Sequence, residues 1–146
     1  MQPAMKATIR PASEADLAPF FADVAQRLAA AHLVISRAGA SSVAELMVAG
    51  KPAILVPLPI ATDNHQYFNA QAVEDANAGW VITQDAFNAS VVAAKLETLL
   101  RAPQRLGECA TAMRGLASPQ AADALAALVL GKETTRAPRP VMENAA

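Results

Sequence analysis

Cysteine is nearly absent from this 146-residue sequence, and Cys109 stands alone. No disulfide can close within the chain and no cysteine cage can hold zinc, a usage that fits a reducing cytosol. Aromatic residues make up only 4%, although 53% of the chain is hydrophobic and much of that is alanine. Such a mixture favours closely packed helices on a small sheet over an aromatic-rich β-sandwich. Net charge is -1, so no basic field draws the chain to nucleic acid or acidic lipid, and with only 17% charged residues the whole chain does not read as disordered. No run approaches the roughly 18 apolar residues of a membrane span. Lys6 and Arg10 are not followed by a continuous apolar segment, so no secretory signal is expected. Any membrane association would come through a partner or through sequence outside these residues. The two histidines, His32 and His65, lie far apart without carboxylates at ligand spacing, which argues against a metal site. No Gly-x-Ser-x-Gly elbow and no Gly-x-Gly-x-x-Gly fingerprint occurs. Neither a metal nor a cofactor is expected.

What is present reads as one domain of alternating strands and helices. Residues up to about 17 carry little pattern. Residues 23–31 are alanine-rich and helix-permissive, 33–35 form a short apolar strand, and a helix is predicted over 41–49. Gly50-Lys51-Pro52 supplies a stop signal, with glycine past the helix end and proline just beyond. Residues 53–56 are a second buried-strand pattern, left in extended form through Pro57-Leu58-Pro59. A helix is predicted from about Asp63 to Asn77, and a third strand over 80–82. The remainder reads as helical. Val91, Val92, Leu96, Leu99 and Leu100 make one stripe, Leu106, Cys109, Met113 and Leu116 another, and Leu125, Leu128 and Val129 the last. Pro103 and Pro119 suit first helical positions, with Ser118 as a cap. After Gly131 the polar, proline-containing tail predicts disorder. Alternating strands and helices indicate a parallel sheet with right-handed crossovers. Three strands make a thin sheet, so the chain reads as part of a larger doubly wound domain.

The segment Ser36-Arg37-Ala38-Gly39-Ala40-Ser41-Ser42-Val43-Ala44-Glu45 carries the strongest chemical signal. It places Gly39 at a strand-to-helix turn, where free backbone N–H groups and the helix dipole favour phosphates. Glu45 lies about one turn further on, where a carboxylate can accept hydrogen bonds from sugar hydroxyls. Phosphate donors beside a hydroxyl acceptor suit a nucleotide-sugar. The same residues have a structural reading, because Ser42-x-x-Glu45 is the spacing of a helix capping box. Asp63-x-x-Gln66 repeats that ambiguity: His65 and Gln66 sit just beyond a strand end, where open α/β sheets place their ligands, yet the spacing again suits a cap. Arg37 offers either phosphate neutralisation or a pairing with a nearby carboxylate. Cys109, inside an apolar stripe, reads as core rather than nucleophile.

Taken together these segments resemble the C-terminal domain of the MurG family of N-acetylglucosamine transferases. The residues that carry the resemblance are Pro19-Phe20-Phe21, Ile35 through Leu46, Gly50 through Pro57, and Asp63-Asn64-His65-Gln66-Tyr67-Phe68-Asn69-Ala70. The resemblance implies an α/β fold with a partial Rossmann-like parallel sheet and flanking helices, as in the C-terminal half of a GT-B glycosyltransferase. It implies a lead-in over 1–18, a UDP-sugar-binding domain over 19–131 and a tail over 132–146. It further implies that the Phe21 backbone faces uracil, that Gly39, Ala40, Ser41 and Ser42 hold the diphosphate with Arg37 nearby, that Glu45 takes the ribose hydroxyls, and that His65 and Gln66 contact N-acetylglucosamine. The implied reaction transfers this sugar from UDP to a lipid-linked N-acetylmuramoyl-pentapeptide acceptor in peptidoglycan synthesis, at the cytoplasmic face of the inner membrane. The family's glycine-rich loops, catalytic histidine, acceptor site and membrane-associating surface belong to sequence not present here, so no catalytic residue is assigned. A non-catalytic UDP-sugar-binding module, a UDP-N-acetylglucosamine 2-epimerase of the same architecture and an inactive fragment are the rival expectations.

Overall fold

The computed structural model describes residues 16–59 and 64–131. Most of the lead-in, Thr62 and Asp63, and the tail after Gly131 lie outside the described residues. Among those described, the elements run α1 (Val24–Ala30), β1 (Val34–Ser36), α2 (Ala40–Ala49), β2 (Ala53–Leu55), α3 (His65–Asp75), β3 (Gly79–Val81), α4 (Ala89–Leu100), α5 (Pro103–Leu116) and α6 (Ala121–Val129). The strands form one parallel sheet in the order β1-β2-β3, with Ile35 opposite Ile54 and Ile54 opposite Trp80. All three carboxyl ends therefore meet at one edge, and the loops that leave them converge there.

The alternation of side chains along a strand splits the core in two. Ala53 and Leu55 face one way, into a cluster with Val43 and Leu46 of α2, Ala70 and Val73 of α3, and Met113. Ile54 and Trp80 face the other way, against Leu99 of α4 and Cys109 of α5. Every residue of β2 is buried, as a central parallel strand covered on both faces must be. Each fully buried Leu99 or Met113 contributes about 1.5–3 kcal/mol by leaving water.

The predicted punctuation holds at α2 and α5. Gly50 takes the left-handed conformation at φ 62, and the Lys51 N–H bonds to the Leu46 carbonyl at 3.0 Å. The Lys51 ammonium then reaches back to the carbonyls of Ala29 and Ala31 at 2.8 and 3.0 Å, fastening the end of α1. Pro103 opens α5, and Leu106, Cys109, Met113 and Leu116 do turn inward. Other expectations are corrected. In α4 the inward line is Val92, Leu96 and Leu99, while Val91 and Leu100 sit about a quarter turn to either side and stay exposed. Ser118 caps nothing: α6 begins at Ala121 after a turn closed by the Ala121 N–H on the Ser118 carbonyl, and Pro119 lies in that turn. Leu125, Leu128 and Val129 do share a side of α6, but all are exposed because none of the described residues covers them.

The outer edge of β3 is closed by a side chain. Glu74 accepts the Val81 N–H at 3.0 Å, satisfying a donor that points away from β2. Gly79 is required where β3 meets β2, since a Cβ there would lie 2.5 Å from the Ala53 carbonyl oxygen and 3.0 Å from Val73 Cγ1. Gly79→Ala is expected to destabilise the domain by about 1–3 kcal/mol, read as a lower midpoint of urea unfolding at an unchanged slope.

Candidate functional site at the carboxyl edge of the sheet

The turn between β1 and α2 dominates the carboxyl edge. Gly39 is the N-cap of α2 in extended conformation, φ -64 and ψ 146, and no side chain caps the helix. The first bond of the helical ladder is the Val43 N–H to the Gly39 carbonyl at 2.9 Å. The N–H groups of Ala40, Ser41 and Ser42 therefore precede the ladder, at the positive end of a ten-residue helix. The capping-box reading of Ser42 and Glu45 is overturned by this register. A box needs the serine at the N-cap, and here Ser42 is already the third helical residue.

Gly39 is not glycine for reasons internal to the fold. Its φ is one that any residue adopts, and nothing lies within 4 Å of the position a Cβ would take. The space that a side chain would fill is open among the described residues.

Glu45 is exposed, one turn and a half into α2. With Val24, Ala25 and Leu28 of α1 and Ala44, Val48 and Ala49 of α2 it lines an open cleft of about 590 Å³. It is the one charged residue in that lining, so the cleft has apolar walls and a single carboxylate acceptor. Phe21 lies just before α1, half-buried, with the Arg27 guanidinium 3.9 Å over its ring centre. Arg27 also bonds Asp23 at 2.9 Å and Asp16 at 2.5 Å. The bond from Arg27 holds the Asp23 carboxyl below its ordinary range. Sequence reading missed this hub; its only signal was the spacing of four between Asp23 and Arg27.

Arg37 leaves the end of β1 and donates from Nη1 to the Val56 carbonyl at 3.3 Å, across the ends of β1 and β2. Among the described residues it takes part in no ion pair. On the other side of the turn, Gln66 accepts the Leu58 N–H on Oε1 at 3.1 Å, and Asn69 donates to the Ala38 carbonyl at 3.0 Å. Gln66 thus directs its oxygen at the loop after β2 rather than at its own helix start, whose N-cap is Asn64 at φ 52. Asp63, the other member of that supposed box, lies outside the described residues. His65 is exposed in the first turn of α3. Arg37, Gly39, Ala40, Ser41, Ser42 and Gln66 are thereby brought to one edge, with His65 next to Gln66 in sequence. Cys109 is buried on the α4–α5 side of the sheet, where burial pushes its thiol above the ordinary value. Among the described residues no group of three or more His, Cys, Asp or Glu is placed to hold a metal ion, and no helix is long and apolar enough to cross a membrane.

A parallel three-stranded sheet flanked by helices, with the uncapped start of α2 at its carboxyl edge, defines an open α/β domain. A family model described as the glycosyltransferase family 28 C-terminal domain matches residues 3–126, reaching further toward the N-terminus than the motifs that begin at Pro19. A protein of Paramagnetospirillum magneticum named UDP-N-acetylglucosamine--N-acetylmuramyl-(pentapeptide) pyrophosphoryl-undecaprenol N-acetylglucosamine transferase is 53% identical over 118 residues, 81% of this chain and 32% of that protein. The protein of the same name from Rhodospirillum centenum is 52% identical over 118 residues, covering 81% and 31%. The crystal structure of Acinetobacter baumannii MurG aligns with a TM-score of 0.73 at 37% identity, over 80% of this chain and 33% of that one. The chain belongs to the glycosyltransferase family 28 C-terminal domain family, and it spans about a third of the length of these relatives. The α/β fold expected from the sequence, with its thin parallel sheet and flanking helices, is the fold observed.

The uncapped start of α2 has a measurable consequence. Gly39→Asp supplies a cap and a negative charge at the dipole's positive end, so it is expected to stabilise the domain by about 0.5–1 kcal/mol in chemical denaturation.

Proposed function

We propose that this chain is the UDP-N-acetylglucosamine-binding part of an inverting glycosyltransferase that adds N-acetylglucosamine to lipid-linked N-acetylmuramoyl-pentapeptide. One observation carries the reading: three backbone donors at the start of α2 are left without a cap, and Glu45 follows on the same helix, in the wall of an apolar cleft. The diphosphate of UDP sits against Ala40, Ser41 and Ser42, approaching through the space that Gly39 leaves open. The ribose hydroxyls donate to the Glu45 carboxylate, and the base lies toward α1 and the Phe21 backbone. Arg37 adds positive charge near the diphosphate, while His65 and Gln66 address the sugar. In transfer, charge develops on the departing UDP, and the same N–H groups stabilise it without reorganising.

Activation of the acceptor hydroxyl needs a base, and none is assigned within this chain. The acceptor site, the base and peripheral attachment to the cytoplasmic face of the inner membrane belong to the remaining two thirds of the relatives' length. Through that reaction the chain serves peptidoglycan synthesis and so cell shape and division. The relatives' shared name and the family match support this assignment over an epimerase or a binding module with no transfer role.

Calorimetry with UDP tests the reading directly. Glu45→Ala is expected to weaken UDP by about 1.5–3 kcal/mol, the scale of hydrogen bonds to a charged group. Gly39→Asp is expected to weaken it at least tenfold while stabilising the fold, because the new carboxylate occupies and repels where the diphosphate binds. Affinity unchanged in both variants removes the nucleotide from this edge. Sugar transfer on adding the N-terminal two thirds of a relative separates an enzyme half from a module that only binds.

A further inference from the structure

The Gly39 turn is held from behind by a residue that nucleotide recognition leaves unused. Asn69, in the second turn of α3, donates from Nδ2 to the Ala38 carbonyl at 3.0 Å, a link across 31 positions of sequence. Ala38 and the neighbouring Ala70 are fully buried, so the bond is anchored in the core cluster shared by α2, α3 and the sheet. Across a planar trans peptide the carbonyl and the following N–H point in opposite directions. Fixing the Ala38 carbonyl therefore fixes the direction of the Gly39 N–H, and with it the angle at which the chain enters α2. The other side-chain bonds of the turn lie before Ala38, from the Ser36 hydroxyl to the Arg37 carbonyl at 2.9 Å and from Arg37 to the Val56 carbonyl at 3.3 Å. Gly39 carries no side chain, nothing lies within 4 Å of where its Cβ would be, and no cap holds the helix start.

We propose that Asn69 is a positioning residue that aims the backbone donors of the Gly39 turn at the diphosphate, an inference that rests on reading this turn as the diphosphate site. Asn69 touches no ligand atom. It acts by holding the peptide between Ala38 and Gly39 in the orientation bound phosphate requires, so that binding need not order the turn. An amide serves here and a carboxylate does not, since the group must donate to a carbonyl oxygen.

The test compares two ligands that differ only in the phosphates. Asn69→Asp, nearly isosteric and without the donor, and Asn69→Ala are titrated with UDP and with uridine by calorimetry or NMR. The expected result is a UDP dissociation constant raised about tenfold in both variants, with uridine affinity held within about twofold. Uridine binding also reports that each variant is folded. UDP affinity unchanged in both variants overturns the role of Asn69 and leaves the diphosphate site standing. Equal weakening of UDP and uridine overturns it too, because Asn69 then supports the domain as a whole. Failure of the unaltered chain to bind UDP overturns the site reading and this proposal with it.

Discussion

A helix that begins without a cap governs this domain. The four leading N–H groups of any helix lack intrahelical partners, and most chains place Ser, Thr, Asp or Asn to serve one of them. Here the N-cap is Gly39, its conformation is ordinary, and its missing side chain relieves no crowding within the protein. Two serines follow two and three residues after the cap position, and both fall inside the helix. Among the described helices only α4 has a side-chain cap, and the uncapped start of α2 lies at the carboxyl edge of a parallel sheet, where such folds gather their ligands. Uncapped donors, open space at Gly39 and an acid one turn and a half along α2 underlie the proposal of a phosphorylated nucleoside as ligand.

The rest of the structure can be understood as support for that helix start. β1 delivers the turn, and β2, buried on both faces, holds β1 in register. Three side-chain links then tie neighbouring loops to one another: Arg37 to Val56, Gln66 to Leu58, and Asn69 to Ala38. Each crosses from one chain segment to another rather than closing a local turn. At the far end of α2, Gly50 ends the helix and the Lys51 ammonium fastens α1 beside it, which sets the wall of the cleft opposite Glu45.

Much of this was legible in the residues themselves. Short apolar runs and the Gly50-Lys51-Pro52 stop located β1, β2 and α2 to within a residue or two, because punctuation by glycine and proline acts locally. The stripe of α5 was legible for the same reason. What escaped was set by tertiary placement. Spacing could not decide whether Ser42 capped the helix or lay within it, since the choice depends on where the chain leaves β1. Val91 and Leu100 share the composition of core residues, and only the packing direction of α4 puts them outside. Ser118 and Pro119 have the chemistry of a helix start but were taken into a turn instead. Asn69 carried no signal of its role and Arg27 only its spacing from Asp23, because their partners Ala38 and Asp16 are brought to them by the fold.

The most direct measurement follows the backbone amides of residues 39–42 by heteronuclear NMR as UDP is added to the unaltered chain. Donation to a diphosphate predicts large downfield proton shifts confined to this turn and the start of α2, saturating together with the changes at Glu45. Saturation elsewhere on the domain while these four amides stay in place would contradict the assignment of the α2 start as the nucleotide's anchor.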